Sequence, residues 1–335
     1  MRFLFIAVVV TLACTDLATA AEPAESDAAV HRTIERGLDF LAKDAVLWRD
    51  EHKCVSCHHA ALTVWSLREA KLKGYAIDDP LLTELTKWVA ESGDGKTGVP
   101  RPENIPRAFN EKAVSLAVAL AADPQPDAIA EAGVKTLLTT VKGDQTENGS
   151  WASWPETRPP MFGHSDERAT LFATLALLPA AAANDESAIA GRDKAIRWLV
   201  DTPTDNDPQS ITMRVVLWRK LERPAAEWQP WVDAIAKRQN ADGGWSQTAE
   251  LASDAWATGQ SLYALAAAGF DSHDPVIMRG QGFLVATQRD DGSWPMISRP
   301  TKPGGEGSTS LMPITGAGSA WGVLGLVSSA ASVSK

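Results

Sequence analysis

The chain has 335 residues, of which 44% are hydrophobic and 22% charged, and a formal net charge of −10. That balance argues against nucleic acid and anionic membrane surfaces as partners, because neither attracts a negative chain. The apolar content suffices for one large helical core that needs no disulfides to hold it.

Arg2 precedes an apolar run over residues 3–12, and Ala18, Thr19 and Ala20 offer small residues for a cut. The run is too short to span a bilayer and reads as a secretory signal peptide over residues 1–20. A lipid anchor at Cys14 is disfavoured, because Thr11 stands where an aliphatic residue is usual. No later apolar run approaches membrane-spanning length. The expectation is a single mature domain over 21–335 without a transmembrane segment, exported to the periplasm or beyond.

From there the periodicity is helical and comes in pairs. The first helix of each pair is expected over about 29–42, 80–92, 127–142, 187–201, 225–239 and 275–288. The second is expected over about 57–72, 110–121, 165–178, 209–221, 254–268 and 317–329. That makes six hairpins. Gly/Pro-rich connections over 93–106, 156–163 and 299–316 precede second helices and are long enough to serve as lids. The second helices are rich in Ala, Gly and Ser, as in Ala317, Gly318, Ser319, Ala320 and Gly322, which permits close helix approach. Several begin with acids: Glu111, Asp166 with Glu167, and Asp254. Acids there cap a helix and complement its dipole, and that is the plain reading of each.

The turns inside the later pairs share a pattern. RGQGFLVATQRDDGSW ends at Trp294, RQNADGGW ends at Trp245 about 49 residues earlier, and DQTENGSW ends at Trp151. The Gly stops the helix in a left-handed conformation, and the Trp that follows covers a joint with its one N–H donor. A period in this range marks a repeat architecture whose units bury their apolar faces on one another.

The spacing of Arg279, Gly280, Phe283, Leu284, Gln288, Gly292 and Trp294 resembles the QW repeat of squalene cyclases and related terpenoid cyclases. Ile235, Gln239, Gly243 and Trp245 match it in part, and Asp254, Ala255, Trp256 and Ala257 are similar to the inner-helix segment that follows. The match is clear over about 224–327. The resemblance implies the all-α, α/α toroid shared with protein prenyltransferase β subunits, in which six inner helices are wrapped by six outer ones. Arg36, Gly37, Phe40 and Leu41 keep the spacing in the first outer helix, but Ala45 replaces its Gln. The resemblance also implies an apolar, isoprenoid-like ligand in a central cavity, with Trp256, Tyr263 and Trp321 as lining. Under an enzymatic reading Asp254 and Asp166 are the candidate general acids. The D-x-D-D acid motif of squalene-hopene cyclases is absent, the chain has length for one barrel where those enzymes have two, and the prenyltransferase zinc layout is not followed. The fold transfers better than the activity.

CVSCHH, residues 54–59, holds both cysteines of the mature chain. In an exported protein Cys-x-x-Cys-His is the attachment sequence of a c-type haem, with thioethers from Cys54 and Cys57 and an axial nitrogen from His58. His164 is the better candidate for a second axial ligand, since His59 cannot readily reach the opposite face of the same porphyrin. A zinc site on Cys54, Cys57, His58 and His59, a redox disulfide and a structural disulfide without cofactor are the alternatives. The motif stands where other units carry the Gly-x-Trp turn, which puts it at one rim of the barrel. Two further functions stay open: a haem-carrying electron-transfer or sensor module with a redox partner, and a non-catalytic interaction domain.

Overall fold

The computed structural model describes residues 23–52, 57–91, 111–122, 126–153, 165–204, 206–296 and 314–332. Among them the secondary structure is helical throughout, in twelve α-helices and one π-helical turn. The outer helices are α1 (Pro23–His52), α3 (Asp79–Glu91), α5 (Ala128–Gly143), α7 (Glu186–Asp201), α9 (Ala225–Lys237) and α11 (Pro275–Thr287). The inner ones are α2 (Leu62–Leu72), α4 (Glu111–Leu120), α6 (Asp166–Ala182), α8 (Pro208–Lys220), α10 (Ala255–Ala268) and α12 (Thr315–Ser329).

Each inner helix touches the next, and α12 returns to α2, so the inner ring is closed. Residues from the C-terminal ends or C-terminal halves of α2, α4, α6, α8 and α10 meet in one cavity, and the end of α12 joins a neighbouring one. The six inner helices therefore run the same way and form an α/α toroid. Both ends of the chain take part in the closure, α12 lying against α1 as well as α2.

The expected helices agree with these to within a few residues, apart from α1. It continues to His52, ten residues past its expected end, because no Gly or Pro interrupts the chain between Gly37 and Gly74. The long connections at 93–106, at 156–163 and over most of 299–316 lie outside the described residues.

Inner helices carry almost no solvent face. α10 is buried at every position from Ala255 to Leu265, and α12 from Gly316 to Val327. Small residues make this possible at the tightest crossing, where a Cβ on Gly259 would come within 2.0 Å of the Trp321 carbonyl oxygen. Outer helices are amphipathic and cover the ring from outside, α5 for instance burying Ala130, Gly133, Leu137, Leu138 and Val141.

The three Gln–Trp turns are superimposable in their bonding. Trp294 donates its indole Nε1 to the Leu284 carbonyl at 3.0 Å and its backbone N–H to Ser319 Oγ at 3.0 Å. Trp245 does the same with Ile235 and Thr258, and Trp151 with Val141 and Thr170. In each unit the Gln amide bridges its own turn to the next outer helix. Gln145 reaches the Gly191 carbonyl, Gln239 reaches Val276, and Gln288 closes the ring on Thr33 at 2.9 Å. Gly292 takes φ +87°, and a side chain there would collide with the Arg36 carbonyl. All three tryptophans are at most 3% exposed. Trp294→Ala is expected to cost about 3–5 kcal/mol by equilibrium urea unfolding; a loss below about 1 kcal/mol would mean that the joint does not depend on the ring.

Candidate functional site at the two mouths of the ring

The first hairpin has no Gly-x-Trp turn. Its chain enters the inner ring through the π-helical turn Cys57–Ala61, a geometry often found at functional sites. Cys54 and His164 lie outside the described residues, as do the side chains of Cys57 and His58. His59 is buried and stacks on Trp48 of α1 with ring centroids 3.9 Å apart and planes 7° from parallel. His52 stacks on Trp48 as well, at 3.8 Å. The Nε2 of His59 lies 3.6 Å from Asp44 Oδ2, one helical turn before Trp48. The start of α12 presses on the pair: a Cβ on Gly316 would stand 2.7 Å from Asp44 Oδ2 and 3.2 Å from the His59 ring. Burial pushes the Asp44 carboxyl up to about 6. Sequence reasoning missed Asp44. The available signal was an acid set between Leu41 and Ala45 on a helix that buries both.

The two acids singled out in the sequence sit at inner-helix starts and are engaged there. Asp254 caps α10, accepting the Ala257 N–H at 2.8 Å on Oδ1 and the Gln247 amide at 2.7 Å on Oδ2. Asp166, in the first turn of α6, accepts the Ser153 N–H at 2.7 Å. No group of three or more His, Cys, Asp or Glu able to hold a metal occurs among the described residues.

Along the axis Trp256, Tyr263 and Trp321 come together with Trp65, a residue the sequence did not single out. Trp321 meets Trp65, Trp256 and Tyr263 edge-on, with centroids 5.3, 6.1 and 6.1 Å away. Below this cluster both Tyr263 Oη and Trp65 Nε1 donate to Glu69 Oε1, at 3.0 and 3.1 Å. Two cavities adjoin there. One of about 70 Å³ is bounded by Trp65, Val118, Leu175 and Tyr263; one of about 300 Å³ opens at the mouth beside Glu69, Lys73, Arg219 and Lys220. Among the described residues, buried donors of the inner ring without a hydrogen-bond partner include Trp321 Nε1, Gln260 Nε2, Thr63 Oγ1 and Gln209 Nε2. Gln260 stands four residues after Trp256 and three before Tyr263, on the same face of α10.

No protein-family model matches the chain, and no curated protein matches its sequence. Solved structures do match. The type II terpene cyclase MstE from Scytonema, in complex with its substrate geranylgeranyl dihydroxybenzoate, aligns with a TM-score of 0.60 at 14% identity, covering 92% of this chain and 99% of that one. The same cyclase with its product merosterolic acid A gives 0.57 at 16% identity, with the same coverage. ent-Copalyl diphosphate synthase from Streptomyces platensis gives 0.52 at 15% identity, over 80% of this chain and 50% of that longer one. At such identities the likeness shows a shared fold, the terpenoid cyclase toroid.

Both tyrosines of the chain are held in their neutral form. Burial pushes the Tyr263 hydroxyl well up, helped by Glu69, and pushes Tyr75 up, helped by Glu35. Their contribution to stability is therefore complete below the ordinary tyrosine value and is lost as the pH climbs past it. Spectrophotometric titration should show no phenolate in the folded chain at about pH 11, with both groups ionising together only as the chain unfolds. A phenolate signal at about pH 10 in folded protein would place a tyrosine in water.

Proposed function

We propose that the chain binds an apolar, isoprenoid-like molecule carrying an oxygen function inside its toroid, in the adjoining cavities of about 70 and 300 Å³ beside Trp65, Tyr263 and Glu69, against which Trp321 and Trp256 pack. The observation that carries this reading is a set of buried, unpartnered donors on the inner helices, among them Gln260 Nε2 and the Nε1 of Trp321, which packs on the cavity-lining Trp65 and Tyr263. A buried donor left without an acceptor costs about 1–3 kcal/mol, and a ligand oxygen would supply one. The aromatic faces suit an apolar body. The type II terpene cyclase MstE, which shares this fold, holds geranylgeranyl dihydroxybenzoate, which supports the ligand class. The reading is of binding rather than cyclisation. The chain has no D-x-D-D string, and the carboxylates of Asp254 and Asp166 accept hydrogen bonds at helix starts.

Titration with geranylgeraniol as probe should quench tryptophan fluorescence saturably. Trp321→Phe and Gln260→Leu should each weaken binding by about tenfold, the loss of one buried hydrogen bond. Equal affinity in both variants, or no saturable quench, would reject the axial site.

A second reading concerns CVSCHH as a cofactor site. A ligating imidazole is commonly oriented by a carboxylate on its other nitrogen, and Asp44 stands 3.6 Å from His59 Nε2, which supports the metal form of this reading, where His59 is a ligand. In this reading residues 1–20 direct export, Cys54 and Cys57 carry a c-type haem and His58 ligates its iron, with His164 as the second ligand. Zinc on Cys54, Cys57, His58 and His59 is the alternative. Bound haem would supply one-electron transfer to a redox partner. Intact mass of protein exported from a host with haem-maturation machinery should show loss of the first 20 or so residues and gain of one haem. An unmodified mature mass without co-purifying metal would reject both cofactors.

A further inference from the structure

A groove of about 600 Å³ runs along the outside of the ring, between α1 and the turn joining α2 to α3. Its floor is apolar. Leu38, Val46, Leu47, Ile77 and Leu81 face it, and Leu47 is 57% exposed. Its rim is acidic. Glu35, Asp39, Asp50 and Asp78 stand around it, with Lys43 held by Asp39 at 2.6 Å and Arg49 by Asp50 at 3.1 Å.

The same place in another repeat shows that the charge belongs to this groove and not to the architecture. Between α5 and the turn joining α6 to α7 lies a groove of about 750 Å³ whose charged rim, Glu131, Lys135, Lys142 and Asp185, is balanced. Lys142 crosses it to Asp185 at 3.1 Å and to Ser187 at 2.7 Å. The corresponding outer helices also differ in how they are tied. Gln145 ties α5 to α7 through the Gly191 carbonyl, whereas the first outer helix has Ala45 in the place of that Gln. α3 lies chiefly against α5, and toward α1 it is tied by the Arg49–Glu84 ion pair at 2.6 Å.

We propose that this groove is a docking surface for a basic amphipathic helix of another protein. The apolar stripe of the helix would lie on Leu47, Ile77 and Leu81, and its flanking Lys and Arg would meet Glu35, Asp39, Asp50 and Asp78. Residues 35 to 50 of α1 span about 22 Å, room for a partner of about four turns. A second copy of this chain is a poor occupant, since it brings a net charge of −10 to an acidic face. An anionic lipid surface is repelled for the same reason.

The probe is a fluorescent synthetic peptide of about 15 residues, with Leu on one helical face and Lys on its borders. Anisotropy with the full chain should show saturable binding that weakens with salt. Leu47→Ser, and the pair Glu35→Gln with Asp39→Asn, should each weaken it by about tenfold or more, whereas Ile129→Ser on α5 should leave it unchanged. All of these positions are exposed, so the variants should keep the wild-type circular dichroism. Three results would overturn the proposal. They are no saturable binding, binding that survives Leu47→Ser and so reflects the overall charge, and a peptide-free dimer that Leu47→Ser dissociates, which would give the face to a second copy.

Discussion

The carboxamide of Gln288 ties the last repeat of the toroid to the first. It donates to the Gly292 carbonyl of its own turn and to the Thr33 carbonyl of α1, 255 positions away in sequence. Arg36 returns the tie by donating to the Arg289 carbonyl. Each bond is worth only about 1 kcal/mol, but their placement decides the topology. An array of helical hairpins exposes apolar faces at its first and last units unless caps cover them. Here the last unit covers the first, and α12 is buried between α10, α1 and α2 instead of ending in solvent.

Closure makes the inner ring a place where polar groups are costly, and the chain meets that cost locally. Glu167 and Arg214, each at most 3% exposed, bind one another, and Arg214 also donates to the Leu199 carbonyl at 2.9 Å. The pair thereby joins α6 and α8 to the end of α7, with the guanidinium over the rings of Trp218 and Trp231. Removing one partner would leave an uncompensated charge, which is far more costly than the pair is stabilising. Against this background Trp321 Nε1 and Gln260 Nε2 are left without a partner, as are Thr63 Oγ1 and Gln209 Nε2, although neighbouring polar groups of α10 and α12 are satisfied.

Much of the fold was legible because its determinants are local. The Asn-Gly and Asp-Gly turns, the Gln before them and the Trp after them recur at readable spacing, and helix limits follow from caps such as Asp127, Asp207 and Asp254. The site was less legible because its contacts are not local. Tyr263 and Glu69 are 194 residues apart, and Gly316 meets Asp44 and His59 only after the ring has closed. Trp65 reads in sequence as one more apolar residue of a buried helix, and its bond to Glu69 adds nothing to the periodicity. The overrun of α1 to His52 had a negative signal, the lack of any breaker, and it sets Trp48 where His59 can stack.

The two mouths of the ring differ in sign for a reason rooted in helix direction. Six parallel inner helices gather their N-terminal partial charges at one end and their C-terminal ones at the other. The chain answers each: Asp166, Glu167, Asp207 and Asp254 at the starts, Lys71, Lys73, Arg219 and Lys220 at the ends. Asp44 belongs to the first mouth without belonging to an inner helix, and burial keeps its carboxyl closer to neutral than a carboxylate in water. Glu69 is its counterpart at the other mouth, an acid set among lysines and held by two neutral donors. Each mouth thus carries one carboxylate that the dipoles do not require, Asp44 beside an imidazole and Glu69 beneath an aromatic column. Chemistry specific to this chain, beyond the shared scaffold, is therefore to be sought at those two groups and on the axis between them.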